Sequence, residues 1–174
     1  GNPNDPNTQI GPIANKEQYE FILSKIDNAE KRGLKLLLDG RKECKSQGYY
    51  IGPTIFDDVP NNDDLAQNEV FGPVVSIHSW ENEKDVIKIA NDTVYGLAAG
   101  IWTNDVNKAI RFAAKIEAGT VYINNYFNAA TQSPVGGFKQ SGYGRENGWE
   151  GMQCYMQTKS TWLATEPHQP DPFK

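Results

Sequence analysis

Between Val74 and Ile123 the apolar pattern alternates between strand-like and helix-like runs, and no other feature limits the fold as tightly. Val74, Val75 and Ile77 predict a strand over Val74–Trp80. Glu83–Asn91 follows as a short helix carrying Val86, Ile87, Ile89 and Ala90. Gly96–Trp102, small and β-branched, predicts a buried strand. Over Asp105–Ile116 the residues Val106, Ala109, Ile110, Ala113 and Ile116 share one helical face. Thr120–Ile123 predicts a further buried strand. Strand, helix, strand, helix, strand is the order that builds a parallel α/β sheet. Binding sites in such sheets lie beyond the carboxyl ends of the strands. That points to Asn124 onward and to Thr103–Asn104.

Upstream, Asn15 is placed to cap a helix starting at Lys16, with Gln18 as a partial capping box. Tyr19, Ile22, Leu23, Ile26 and Ala29 keep helical spacing until Gly33 ends the run. Leu34–Leu38 predicts a strand, Asp39–Gly48 a surface loop, and Gly52-Pro53 a turn into a strand at Thr54-Ile55-Phe56. Asp63–Asn68 is polar and loop-like, and Tyr126–Asn147 is glycine-rich and irregular. Tyr155–Leu163 has strand propensity, and the proline-containing tail Pro167–Lys174 is expected to be extended.

A length of 174 residues suits one domain with a real core. The net charge of -5, with lysine and arginine scattered, gives no footprint for nucleic acid. No apolar run approaches the ~20 residues of a membrane span. The polar start Gly1-Asn2-Pro3-Asn4-Asp5-Pro6 resembles neither a signal nor a transit peptide. Cys44 and Cys154 are too few for a disulfide framework, which fits a reducing, cytoplasmic setting. The cysteines and the histidines His78 and His168 lie far apart, so no metal-ligand spacing is present.

Three segments together are specific: Asn68-Glu69-Val70-Phe71-Gly72-Pro73-Val74-Val75, Asn91-Asp92-Thr93-Val94-Tyr95-Gly96-Leu97-Ala98-Ala99-Gly100, and Gly119-Thr120-Val121-Tyr122-Ile123-Asn124-Asn125 followed by the stretch Pro134 to Glu146. In order and spacing they resemble aldehyde dehydrogenases, and the opening Gly1-Asn2-Pro3, Asp5, Thr8 and Gly11-Pro12 fits too. The resemblance runs from Gly1 to about Leu163. It implies an α/β fold: the parallel-sheet portion of the aldehyde dehydrogenase catalytic domain over 1–154, then an oligomerisation strand and tail over 155–174.

In that family a cysteine thiolate attacks the aldehyde, hydride passes to NAD or NADP, and water cleaves the thioester to the acid. The family's Gly-Gln-x-Cys nucleophile segment and Leu-Glu-Leu-Gly-Gly base segment do not occur in these residues, nor does the cofactor domain. The chain therefore reads as the part downstream of the cysteine, with no catalytic residue of its own, and alone is not expected to turn over substrate. Cys44, in a charged loop, and Cys154 read as bystander or structural thiols, because neither has a base within reach of the pattern.

The resemblance assigns Glu69 to the nicotinamide ribose hydroxyls, Phe71 to the neighbourhood of the nicotinamide ring and Gln18 to the cofactor's ribose. Two carboxylate oxygens can accept from both hydroxyls. Tyr126, Ala129 and Val135 fall in the family's aldehyde-pocket segment, where Ala129 and Val135 stand in place of larger aromatics. Pro134-Val135 and Arg145-Glu146-Asn147-Gly148 lean toward the betaine-aldehyde dehydrogenases. Gly136, Gly137, Gly142 and Gly144 lack the order of a phosphate loop and read as sharp turns near an interface. The implied partners are a small aldehyde and further copies of the chain, as a homodimer or homotetramer. The competing class is a non-catalytic binding or assembly module with this fold. Retention of Glu69 and Phe71 together with the pocket segment favours the enzyme.

Overall fold

The computed structural model describes residues 1–43, 48–128, 130–165 and 173. By internal contacts the chain divides into two units, Gly1–Val94 with Ala114–Ile116, and Tyr95–Ala113 with Glu117–Lys174.

In the first unit, helix α1 spans Lys16–Lys31 and starts as its sequence dictates. The Asn15 side chain accepts from Gln18 N at 2.8 Å, and Gly33, in the left-handed region at φ 84°, follows the last turn. Strand β1 (Lys35–Leu38) pairs antiparallel with β2 (Thr54–Asp57), and β2 pairs parallel with β3 (Val74–Ser76). Helix α2 (Asp64–Gln67) and helix α3 (Glu83–Asn91) complete the unit's elements. Ile22, Ile26 and Ala29 of α1 form the core with Ile51, Phe56, Val59, Leu65 and Val70. Thr54, the buried polar residue of this core, is satisfied: its hydroxyl accepts from Gly40 N at 3.1 Å.

Arg41 sits in a short 3₁₀ turn, Gly40–Glu43, within the expected loop. Its guanidinium donates to Asp39 at 2.8 Å, to Asp27 at 2.6 Å and to Glu30 at 2.8 Å, tying the end of β1 to α1. That contact holds the Asp39 carboxyl below the usual carboxylate range.

In the second unit, β4 (Ala98–Ile101) and β5 (Thr120–Ile123) pair in parallel from Ala98↔Thr120 to Ile101↔Ile123. Helix α4 (Val106–Lys115) makes the crossover and buries Ala109 and Phe112. A 3₁₀ turn at Lys139–Ser141 and helix α5 (Gly148–Gln153) follow.

The α/β class and the parallel pairings agree with the sequence reading, but the expected single sheet from Val74 to Ile123 is corrected. The strands fall in two sheets, β1–β2–β3 and β4–β5. Strand order along the chain says nothing about which edge a strand finds, and β3 finds β2 upstream of it. Asp63–Asn68, expected as a loop, holds α2 because Asp63 caps it, accepting from Leu65 N at 2.8 Å. Tyr155–Leu163 forms no strand: a strand needs a ladder partner, and these residues have none among the described ones.

Candidate functional site

Glu69, Phe71 and Gln18 come together in the first unit. The loop after α2 alternates in direction, with Val70 buried in the core and Glu69 and Phe71 exposed on either side. Phe71 is 76% exposed and sits at φ 53°, the left-handed region that a bulky residue enters only when its surroundings hold it there. Such a conformation costs on the order of 1–3 kcal/mol. Two contacts with α1 supply the hold. Gln18 Nε2 donates to Val70 O at 2.9 Å and to Phe71 O at 3.2 Å. Gly72 packs so tightly on the fully buried Ile22 that a Cβ there would lie 2.6 Å from Ile22 Cδ1.

The loop's other end is held from the same helix face. Lys25 Nζ meets Asp64 at 2.7 Å, and Arg32 grips Asp63 in a forked pair at 3.0 and 2.7 Å. Residues 18, 22, 25, 29 and 32 follow one another at steps of three and four, so a single stripe of α1 fixes segment 63–72. The guanidinium of Arg32 holds the Asp63 carboxyl below the usual range, and the Lys25 ammonium does the same for Asp64.

The result is a cleft of about 300 Å³ lined by Glu69, Phe71, Gly72, Asn68 and Ser76 among others. The Glu69 carboxylate makes no hydrogen bond or ion pair among the described residues. An exposed carboxylate and an aromatic side chain lining one cleft can accept hydrogen bonds from a ligand's donors and pack against its apolar or flat parts.

The second unit supplies the other candidates. At the carboxyl ends of its strands, Asn124 at φ 53° accepts from Thr103 N at 2.8 Å and donates to Thr103 O at 3.0 Å. The two segments picked out from strand order therefore meet. Tyr126 lies in an aromatic cluster, with ring centroids 5.1 Å from Tyr122, 6.4 Å from Trp102 and 5.0 Å from Phe127. Gly100 makes room beneath it, since a Cβ there would stand 3.2 Å from both the Trp102 and Tyr126 rings. Val135 forms an antiparallel bridge to Glu146, with bonds of 2.8 and 2.7 Å. Ala129 lies outside the described residues, as do Cys44 and His168.

Sequence reasoning missed Trp102, Tyr122 and Phe127. A local signal was present for Trp102, which stands two residues from Gly100 in one strand run, whereas Tyr122 comes opposite Gly100 only through the pairing of β4 with β5. The glycine-rich run is also refined: Gly142 and Gly144 do turn, at φ 141° and 75°, whereas Gly136 and Gly137 are sites of close backbone approach. Cys154 is exposed, its thiol 3.9 Å from Glu150 O, and the His78 ring pairs with Ser76 Oγ at 3.2 Å. No group of three metal-ligating side chains occurs among the described residues.

The profile of the aldehyde dehydrogenase family matches residues 1–161. The chain belongs to the aldehyde dehydrogenase family. It is 46% identical over 163 residues to aldehyde dehydrogenase 1A1 of Bos taurus, covering 94% of this chain and 32% of that protein. To the betaine aldehyde dehydrogenase of Cereibacter sphaeroides it is 42% identical over 167 residues, covering 96% of this chain and 34% of the other. Its structure resembles the aldehyde dehydrogenase of Mycobacterium tuberculosis complexed with NAD+, with a TM-score of 0.89 and 42% identity over 97% of this chain and 35% of that one. The chain thus spans about a third of the length of the aldehyde dehydrogenases it matches.

Proposed function

We propose that this chain supplies the ribose-binding wall and part of the aldehyde pocket of an NAD(P)-dependent aldehyde dehydrogenase, which oxidises an aldehyde to a carboxylic acid. The observation that carries the reading is the unpaired Glu69 carboxylate beside Phe71, on a loop immobilised at both ends. Glu69 accepts from the two hydroxyls of the nicotinamide ribose, and Phe71 stands alongside the ring. NAD or NADP, when bound there, takes up the hydride. A module kept only for assembly has no use for a strained loop that presents a free carboxylate, which supports the enzyme over that alternative.

Tyr126, Ala129 and Val135 contribute to the aldehyde pocket. The lean toward betaine aldehyde rests on Val135 and on Glu146-Asn147-Gly148, and the bridge joining Val135 to Glu146 makes those positions one local unit. The homo-oligomer expected of the enzyme uses residues 155–163 as its pairing strand. No described helix is long and apolar enough to cross a membrane, and the protein is assigned to the cytoplasm on the strength of its cysteine usage.

Replacing Glu69 by glutamine in the enzyme that contains this chain tests the reading. Glutamine keeps the size but loses one acceptor and the charge. Loss of a charge-assisted hydrogen bond costs about 1.5–3 kcal/mol, so NAD affinity should fall roughly ten- to hundredfold while the KM for aldehyde stays within about threefold. Unchanged cofactor affinity and an unchanged hydride-transfer rate would remove Glu69 from the site.

A further inference from the structure

Gln18 matched a position near the cofactor's ribose, which suggested a direct contact. The geometry points to a different role, and it rests on the reading of Glu69 given above. We propose that Gln18 is a positioning residue, whose amide N–H donors hold the backbone of the Glu69–Phe71 loop.

A primary amide has two N–H donors. Gln18 directs its Nε2 at two carbonyls of one loop, Val70 O at 2.9 Å and Phe71 O at 3.2 Å. Both donors are therefore committed. Those carbonyls belong to the peptide units that follow Val70 and Phe71, one on each side of the left-handed Phe71. Fixing both peptide planes fixes the φ and ψ of the residue between them, and with it the direction of the Phe71 ring. The same clamp fixes Glu69, because Val70 between them is buried and cannot swing. Gln18 is itself anchored: its backbone N–H donates to the Asn15 cap at 2.8 Å, and one turn later Ile22 packs under Gly72. The first turn of α1 thereby sets the aim of a carboxylate about fifty residues away in sequence, and the two bonds have sequence separations of 52 and 53.

The clamp also explains why the side chain must be an amide of this length. Glutamate has the reach but no donor, methionine has the reach but no polar hydrogen, and asparagine is one methylene short.

The test uses the enzyme that contains this chain and a double-mutant cycle between Gln18→Met and Glu69→Gln, with NAD affinity as one readout and hydrogen exchange of the backbone over 68–72 without NAD as the other. Gln18→Met should weaken NAD binding about tenfold and speed exchange in that segment while leaving exchange in the core strands unchanged. In the Glu69→Gln background the same change should weaken binding by no more than about threefold, since the mis-aimed loop then costs only what Phe71 and the remaining amide acceptor contribute. Gln18→Glu should repeat the single-variant result and guards against a fault peculiar to methionine. A full tenfold loss in both backgrounds means that Gln18 touches the cofactor itself and overturns the proposal. Unchanged exchange over 68–72 overturns it as well, whatever binding does. If Glu69→Gln has no effect on NAD affinity, the ribose assignment fails, and the exchange readout still decides whether Gln18 holds the loop.

Discussion

Several single residues in this chain are fixed by where backbone passes backbone. Gly119, just before β5, is the tightest case. A Cβ on it would stand 1.6 Å from Gly136 O, and one on Gly136 would stand 2.6 Å from Gly144 O. Three passages of chain therefore stack with no side chain between them. Gly119→Ala should cost about 1–3 kcal/mol, because a backbone carbonyl cannot rotate aside as a side chain would. That corresponds to a fall of roughly 2–12 °C in Tm for a chain of this size. Gly11→Ala is the control: nothing lies within 4 Å of its Cβ position, and its Tm should not move by more than about 2 °C. Equal Tm values for the two variants in thermal denaturation would show that the close approach carries no weight.

At the scale of elements, α1 does more than fill the core. Its stripe at 18, 22, 25, 29 and 32 secures segment 63–72 partly through charge. Asp63 both caps α2 and accepts the Arg32 fork, and its carboxyl is held below the usual range chiefly by that hydrogen bond. A carboxylate whose folded-state pKa is depressed adds stability above its unfolded value, about 4, and loses it as pH falls through the folded value. Asp39 and Asp64 are depressed in the same direction by Arg41 and Lys25. Urea midpoints should therefore hold steady from about pH 7 to 5 as far as these groups go, and fall below about pH 4. Asp63→Asn keeps the cap and removes the charge. It should lower the midpoint at neutral pH and make the acid limb shallower. An acid limb of unchanged slope would show that the Arg32 pair contributes nothing.

The elements divide sharply into those the sequence announces and those it hides. Helices α1 and α3 begin and end as expected, since Asn15, Gly33 and an apolar stripe of several turns are local signals. Helices α2 and α5, of 4 and 6 residues, are too short to show a helical period. Helix α2 exists because Asp63 caps it and Arg32, from another element, holds the cap. Sheet pairing was hidden for a similar reason, because the partner of β3 is a matter of tertiary packing. Glu69 and Phe71 were legible as candidate residues through their motif. The clamp from Gln18 was not, because a contact across 52 residues leaves no local trace.

On the scale of the whole molecule, the second unit is short of cover. Phe127 is 85% exposed, Trp162 92% and Leu163 88%, and Tyr155 and Trp149 are exposed as well. Among the described residues the backbone of 157–163 finds no partner, whereas Tyr155 and Met156 donate to Met152 O and Gln153 O, and such a stretch beside those rings invites a second strand. The isolated chain should therefore sediment at micromolar concentration as a dimer or larger, and Trp162→Lys should shift it toward monomer. A clean 19.4 kDa monomer for the unaltered chain would refute the pairing role of this segment. The distribution of the candidate residues has another consequence. Gln18, Glu69 and Phe71 all lie in the first unit, whereas Tyr126 and Val135 lie in the second, and the interactions that shape each set stay within its own unit. On the function proposed above, choice of aldehyde and grip on the coenzyme would be written in separate stretches of chain. Drift or recombination over 126–135 would then retune the substrate range of a lineage while its coenzyme wall is inherited intact.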